Sequence, residues 1–285
     1  MRKEPTTPRR QSRRLAEKGM TPAPVPQKQE KEKLGRYLPL ITKGLVSNSR
    51  EERENMFSFL QEKIGRTDIA LAELEREQLW KGLFYFVWIT ETKEALQETA
   101  KRVADILFCF FGHSEQCGLA HIGVFWKTVC QEWSRIDKHR LDKYYALSAH
   151  VIQNTFEHIG RQSWEDDTVE GCIGELQRGV LGEDGGTPYG LRVFCTKEYI
   201  RALLRTEETP TEEQRRVCLL PVCVLLRETT FESEIEELRE ALASIPDRKM
   251  ILSMLKETGA LAQKEANRRE IYRVCQEIER ADKQL

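Results

Sequence analysis

The sequence predicts an all-α chain, and three observations carry that expectation. From Glu32 onward apolar residues recur at spacings of three and four, the period of a helix face. Helix-start signals fall where those stretches begin. Only 17 Gly and 10 Pro occur in 285 residues, too few turn formers for a hairpin-rich β fold. A hydrophobic share of 40% supports a sizeable core, and a charged share of 32% gives a large solvated surface.

The first element, residues 1–31, reads as a disordered basic arm. Pro5, Pro8, Pro22, Pro24 and Pro26 are half of all the prolines, set among Arg, Lys, Gln, Thr and Ser. So little apolar surface cannot offset the entropy of ordering the segment. Residues 1–36 hold 11 Lys or Arg against 4 Glu, a balance of +7, and the remaining 249 hold 34 basic against 42 acidic residues, a balance of −8. A basic arm on an acidic body points to a partner. The pairs Arg9-Arg10 and Arg13-Arg14 fit a nuclear-import patch or an RNA-backbone contact, and equally a solvated tail.

Residues 32–285 form the expected helical domain. Met56, Phe57, Leu60 and Ile64 mark one stripe; Leu141, Tyr144, Tyr145, Ser148, Ile152, Phe156 and Ile159 mark a longer one; Ile271, Val274, Cys275 and Ile278 mark a third. Ser49 with Glu52 reads as a capping box, Thr209-Pro210-Thr211-Glu212 as a cap with Pro at the first helical position, and Thr229 with Glu232 as a further cap. Tyr189 to Cys195 is the one short strand-like segment. The Cys- and Leu-rich stretch Arg215 to Leu226 is apolar on most faces and belongs at the centre of the second half. Gly182 to Gly190, with Gly185-Gly186 and Pro188, reads as a mobile surface loop that divides the array. Ten to twelve helices packing on their sequence neighbours make a HEAT- or armadillo-like α-solenoid, with no strict repeat surviving.

Chemistry is sparse. No phosphate loop, dinucleotide fingerprint or nucleophile elbow is present, so no catalytic residue and no cofactor are expected. Eight cysteines without compact spacing read as reduced thiols packed as small apolar groups. Cys109, His113, Cys117 and His121, four residues apart each time, are the best metal-ligand pattern. They lack the closer clips that zinc sites use, and packing is the favoured reading, with no metal expected. The acidic run Glu232 to Glu240, alternating with Ile235 and Leu238, reads as a solvated helix face. The most apolar run, Gly82 to Ile89, is bounded by Lys81 and Glu91 and is far shorter than the roughly 18 residues of a membrane span, so a soluble chain is expected.

Two aromatic and charged clusters stand out. One is Trp80-Lys81-Gly82-Leu83-Phe84-Tyr85 with Trp88. The other runs through Phe125-Trp126, Glu132-Trp133 and Ile136-Asp137 to Arg140-Leu141-Asp142-Lys143-Tyr144. Trp126 and Trp133 at helical spacing read as packing, and Gly82 lets two helices approach closely. Asp137, Arg140, Asp142 and Lys143 are either a salt-bridge network at a helix junction or a surface for a partner.

These clusters resemble the nucleolar family of ribosomal RNA-processing protein 1. Weaker similarity extends through Gly190 to Leu204 and around Leu220-Pro221. The resemblance implies a HEAT-like helical fold and a nucleolar or nuclear location. It further implies a non-enzymatic role in pre-rRNA processing and assembly of the large (60S) subunit, with pre-60S assembly factors and large-subunit pre-rRNA as partners. Family members often carry a long basic C-terminal tail, whereas here the basic extension is N-terminal.

The leading reading is therefore a scaffold. Its partner-facing or family-motif residues are Trp80, Lys81, Trp126, Trp133, Asp137, Arg140, Asp142 and Lys143, and its RNA-binding or import residues are Arg9, Arg10, Arg13 and Arg14. An acidic body favours protein partners over RNA along the solenoid. The alternatives are a peptide-binding solenoid adaptor of transport or phosphatase-type complexes and a zinc- or thiol-dependent enzyme built on Cys109 to His121. No membrane and no small-molecule substrate are expected.

Overall fold

Each apolar stripe becomes a helix because a neighbouring helix covers it. The computed structural model describes residues 33–90, 93–182 and 186–282. Among them are twelve α-helices: α1 (Leu38–Leu45), α2 (Arg50–Arg66), α3 (Glu73–Ile89), α4 (Lys93–Cys109), α5 (Glu115–Glu132), α6 (Leu141–Arg161), α7 (Asp166–Gly179), α8 (Tyr189–Arg205), α9 (Glu212–Glu228), α10 (Glu232–Ala243), α11 (Arg248–Leu261) and α12 (Glu265–Asp282). The sole β-type pairing among the described residues is an isolated bridge between Lys33 and Asp68. No described helix is long and apolar enough to cross a membrane. The arm 1–31, with Arg9, Arg10, Arg13 and Arg14, lies outside the described residues, as do residues 183–185 of the expected loop.

The packing follows a two-ladder rule. Odd-numbered helices stack on odd ones (α1 on α3, α3 on α5, α5 on α7, α7 on α9, α9 on α11), and even-numbered helices stack likewise from α2 to α12. This two-layer arrangement is that of an α-solenoid, in which each unit buries its apolar face only against its neighbours. Phe57, Leu60 and Ile64 of α2 are buried, as are Tyr144, Ser148, Ile152, Phe156 and Ile159 of α6 and all four stripe residues of α12. Each large apolar side chain so buried stabilises by about 1.5–3 kcal/mol. Phe57 stacks on Phe86 with ring centroids 4.9 Å apart, joining α2 to α3.

Two glycines show how helices approach closely. A Cβ on Gly82 would sit 3.3 Å from Thr42 Cγ2, so α3 lies directly on α1 as expected. A Cβ on Gly179 would sit 2.6 Å from Trp126 Cβ, so the end of α7 lies on α5 only because that atom is missing.

Several local expectations are corrected. Tyr189 to Cys195 is the beginning of α8, since Leu191, Val193 and Cys195 are covered within the array. The expected loop accordingly loses its last two residues, Tyr189 and Gly190, to α8. The array continues across it, with α6 on α8 and α7 on α9. Helix α9 starts two residues later than its Pro suggests: the cap is Thr211, whose Oγ1 accepts from Gln214 N at 3.2 Å while Gln214 Oε1 accepts from Thr211 N at 2.9 Å. Ser49 does cap α2, accepting from Glu52 N at 3.3 Å, but the Glu52 carboxylate turns to Ser47 Oγ at 2.5 Å, so only half of a capping box forms. Thr229 does not N-cap α10, a position held by Phe231; it ends α9, and its hydroxyl accepts from Phe231 N at 3.1 Å and donates to Glu234. Helix α9 buries Cys218, Leu219, Val222, Cys223, Leu225 and Leu226, while Leu220 is 53% exposed. It runs unbroken through Pro221.

Glu234 is the largest departure. It lies within the acidic run expected to face solvent, yet it is 0% exposed and forms a two-point ion pair with Arg192, Nε to Oε1 at 2.8 Å and Nη2 to Oε2 at 2.9 Å. This pair joins α8 to α10 inside the even ladder.

Candidate functional site

The two family-motif clusters meet at one junction, where α3, α5 and α6 converge around the turn 133–140. Trp80 sits on the inner face of α3, buried against Phe125, and its Nε1 donates to His121 Nδ1 of α5 at 3.1 Å. That bond places the His121 proton on Nε2, which is itself buried and without a partner. The imidazole is stacked on Phe110 with centroids 3.5 Å apart. Burial, with a smaller push from the charge of Arg76, lowers its pKa from 6.5 to about 3.

Glu132 ends α5 as a buried carboxylate and collects three donors. Tyr85 Oη donates at 3.1 Å and Arg135 Nη1 at 2.7 Å, both to Oε2, while Lys81 Nζ lies 3.1 Å from Oε1. Burial pushes the Glu132 carboxyl up, but the bonds from Lys81 and Arg135 outweigh it and hold the group below the usual carboxylate range.

Lys143 does the corresponding work for α3. A helix leaves its last carbonyls without intrahelical partners. Buried Lys143 donates through Nζ to Trp88 O at 2.9 Å and also to Thr90 O, closing the end of α3 with a cation, the charge that a helix C-terminus favours. Tyr144, next in the chain, stacks on Phe84 at 4.3 Å and donates from Oη to Phe84 O at 3.0 Å. Lys143→Met, which keeps the length but not the donors, should cost about 1–3 kcal/mol in urea denaturation by leaving two carbonyls unsatisfied. An unchanged midpoint would show that water replaces the ammonium.

The eight motif residues thus divide by position. Trp80 and Lys143 are buried and hold the junction together, while Trp126 is buried on α5 against Gly179 of α7. Trp133 is half-buried with its ring edge against Tyr145 at 5.3 Å. Lys81 and Asp142 are exposed, while Asp137 and Arg140 are partly so; Arg140 pairs with Asp137 and spreads its guanidinium over Trp88 at 4.9 Å. At this surface Lys81, Arg135, Lys138 and Arg140 stand among Glu132, Asp137 and Asp142. Lys81, Arg135 and Arg140 are each paired with one of those carboxylates. So much internal neutralisation leaves little net positive charge for a phosphate backbone and suits a protein partner better.

The spaced set Cys109, His113, Cys117 and His121 does not converge. Cys109 Sγ donates to Asp105 O at 3.3 Å, His113 Nε2 lies 2.7 Å from Ile64 O, and His121 belongs to Trp80. A different trio does come together. Glu115 of α5, His158 of α6 and Cys172 of α7 bring their ligand atoms within 4.8 Å of one another. Nothing in the sequence spacing links the three. All eight thiols are free, five of them buried.

Comparison with known proteins agrees with this picture. A model of the family described as nucleolar protein, Nop52 matches residues 38–284. The chain is 30% identical over 145 residues, 51% of its length, to human ribosomal RNA processing protein 1 homolog B, covering 19% of that protein. It is 28% identical over 194 residues, 66% of its length, to human homolog A, covering 42% of it, and 28% identical over 163 residues, 56% of its length, to mouse homolog B, covering 22% of it. The chain therefore spans well under half the length of these relatives. A match that takes in all twelve helices leaves one conclusion: the chain belongs to the Nop52 family of nucleolar proteins.

Proposed function

We propose that the chain is a non-enzymatic scaffold of pre-rRNA processing in the nucleolus, acting in assembly of the large (60S) subunit. It would hold pre-60S assembly factors on its helical array and pre-rRNA through its arm. The observation that carries this reading is the family match over residues 38–284, together with relatives named for ribosomal RNA processing. The charge pairing at the α3–α5–α6 surface supports a protein partner there, with Lys81, Trp133, Arg140 and Asp142 as the residues a partner would meet. Arg9, Arg10, Arg13 and Arg14 would neutralise phosphates.

Affinity purification of the tagged chain at two salt concentrations tests the role. Large-subunit rRNA precursor and nucleolar factors should be retained at the higher salt. Recovery of transport cargo or phosphatase subunits without rRNA would overturn the scaffold reading in favour of the peptide-binding adaptor. For the arm, replacing its four Arg by Ala should flatten the slope of log K against log salt by about 3 on single-stranded pre-rRNA, at roughly 0.7 per lost contact. An unchanged slope would remove the arm from RNA binding.

A further inference from the structure

We propose that Glu115, His158 and Cys172 form a zinc-binding site that links α5, α6 and α7. Three donors of the types zinc prefers, a carboxylate oxygen, an imidazole nitrogen and a thiolate sulfur, reach one point from three helices. His158 Nε2 lies 3.2 Å from Glu115 Oε2 and 3.4 Å from Oε1. Two ligands held about 2.0–2.1 Å from a tetrahedral ion stand roughly 3.3 Å apart, so these two already have the required spacing. Cys172 Sγ, within 4.8 Å of both, needs to swing inward by about 1 Å.

The surroundings favour an ion as well. The His158 ring is held by Phe111, its centroid 4.0 Å away, and Phe108, at 6.2 Å, which leaves Nε2 facing Glu115. Cys172 is wholly buried, which keeps its thiol protonated in the metal-free protein; zinc would displace that proton to solvent and take the thiolate. One thiolate and one carboxylate neutralise a divalent cation, so no net charge is buried. Glu115 is partly exposed and gives the ion its path in, with a water completing the coordination on that side. The ligands come from both layers, α5 and α7 in the odd ladder and α6 in the even one, so the ion would fasten the two ladders together.

The test uses the full chain. Metal-free protein is incubated with excess zinc and passed through gel filtration. It should retain one equivalent per chain and gain roughly 5–10 °C in Tm at a hundredfold excess over Kd. Cobalt in place of zinc should give a thiolate-to-metal charge-transfer band in the near ultraviolet. Cys172→Ser should abolish that band, and Glu115→Gln, a partly exposed change expected to leave the fold intact, should weaken zinc by more than the roughly 10–100-fold that loss of an outer-shell partner costs. Failure to retain metal, or a cobalt band that survives in Cys172→Ser, overturns the site; the second outcome would mean binding at another thiol. Should Cys172→Ser not fold, an unaltered zinc affinity in Glu115→Gln overturns it on its own. None of these readouts depends on rRNA association.

Discussion

Replacing Glu234 by Ala should lower the stability of the helical array by about 3–5 kcal/mol, the cost of leaving a buried charge without its partner. Arg192 is 5% exposed and spends two nitrogens on Glu234, so removal of the carboxylate strands a guanidinium between α8 and α10. Thr229 loses its acceptor in the same change. The converse substitution, Arg192→Ala, should be comparably damaging because it strands the carboxylate. Replacing both by Met should recover most of the loss, since two charges are then withdrawn together. Urea midpoints of the two single variants and the double variant, compared at equal m, decide it. Additive losses in the double variant would show that the pair is solvated and not a coupled buried unit.

Acid should destabilise the array through His121. Burial holds its pKa at about 3, while the unfolded chain protonates near 6.5. Between those values the unfolded state binds more protons, so stability is complete above pH 6.5 and falls as pH drops toward 3. The slope approaches 1.4 kcal/mol per pH unit. From pH 7 to pH 5 the loss assigned to this one group is about 2 kcal/mol. His121→Gln removes the titration yet keeps an oxygen that can accept from Trp80 Nε1. Denaturation at the two pH values should therefore show wild type losing about 2 kcal/mol more than the variant. Equal losses in both proteins would place the acid sensitivity elsewhere.

The motif clusters illustrate what could be read in advance and what could not. Trp80, Trp126, Arg140 and Lys143 were visible as residues of unusual type in a helical pattern. Trp126 reads as packing and is buried, but the division of the charged residues into interior and surface was not legible, because a helix stripe gives the angle of a side chain without naming the helix that covers it. Lys143 and Glu132 look like surface residues by type, and each is buried because three helices meet over it and supply its partners. The spaced set from Cys109 to His121, read from the sequence as packing, stays apart for the opposite reason. Regular spacing along the chain strings residues out along helices, whereas a metal ion needs donors that meet at a point.

By itself the sequence determined the all-α class, the stripes of α2, α6 and α12, the N-cap of α2 and the close approach at Gly82. These depend on neighbours at most four residues away, or on the absence of a side chain. Only the tertiary structure decided the pairing of Arg192 with Glu234 across 42 residues, the seating of His121 under Trp80 across 41, and the meeting of Glu115 with His158 across 43. The physical reason is the two-ladder stacking. It brings each helix against the next but one, so Arg192 meets Glu234 and Trp80 meets His121 a helix pair away, while the contact between the two layers joins Glu115 of α5 to His158 of α6, all beyond the reach of any local pattern.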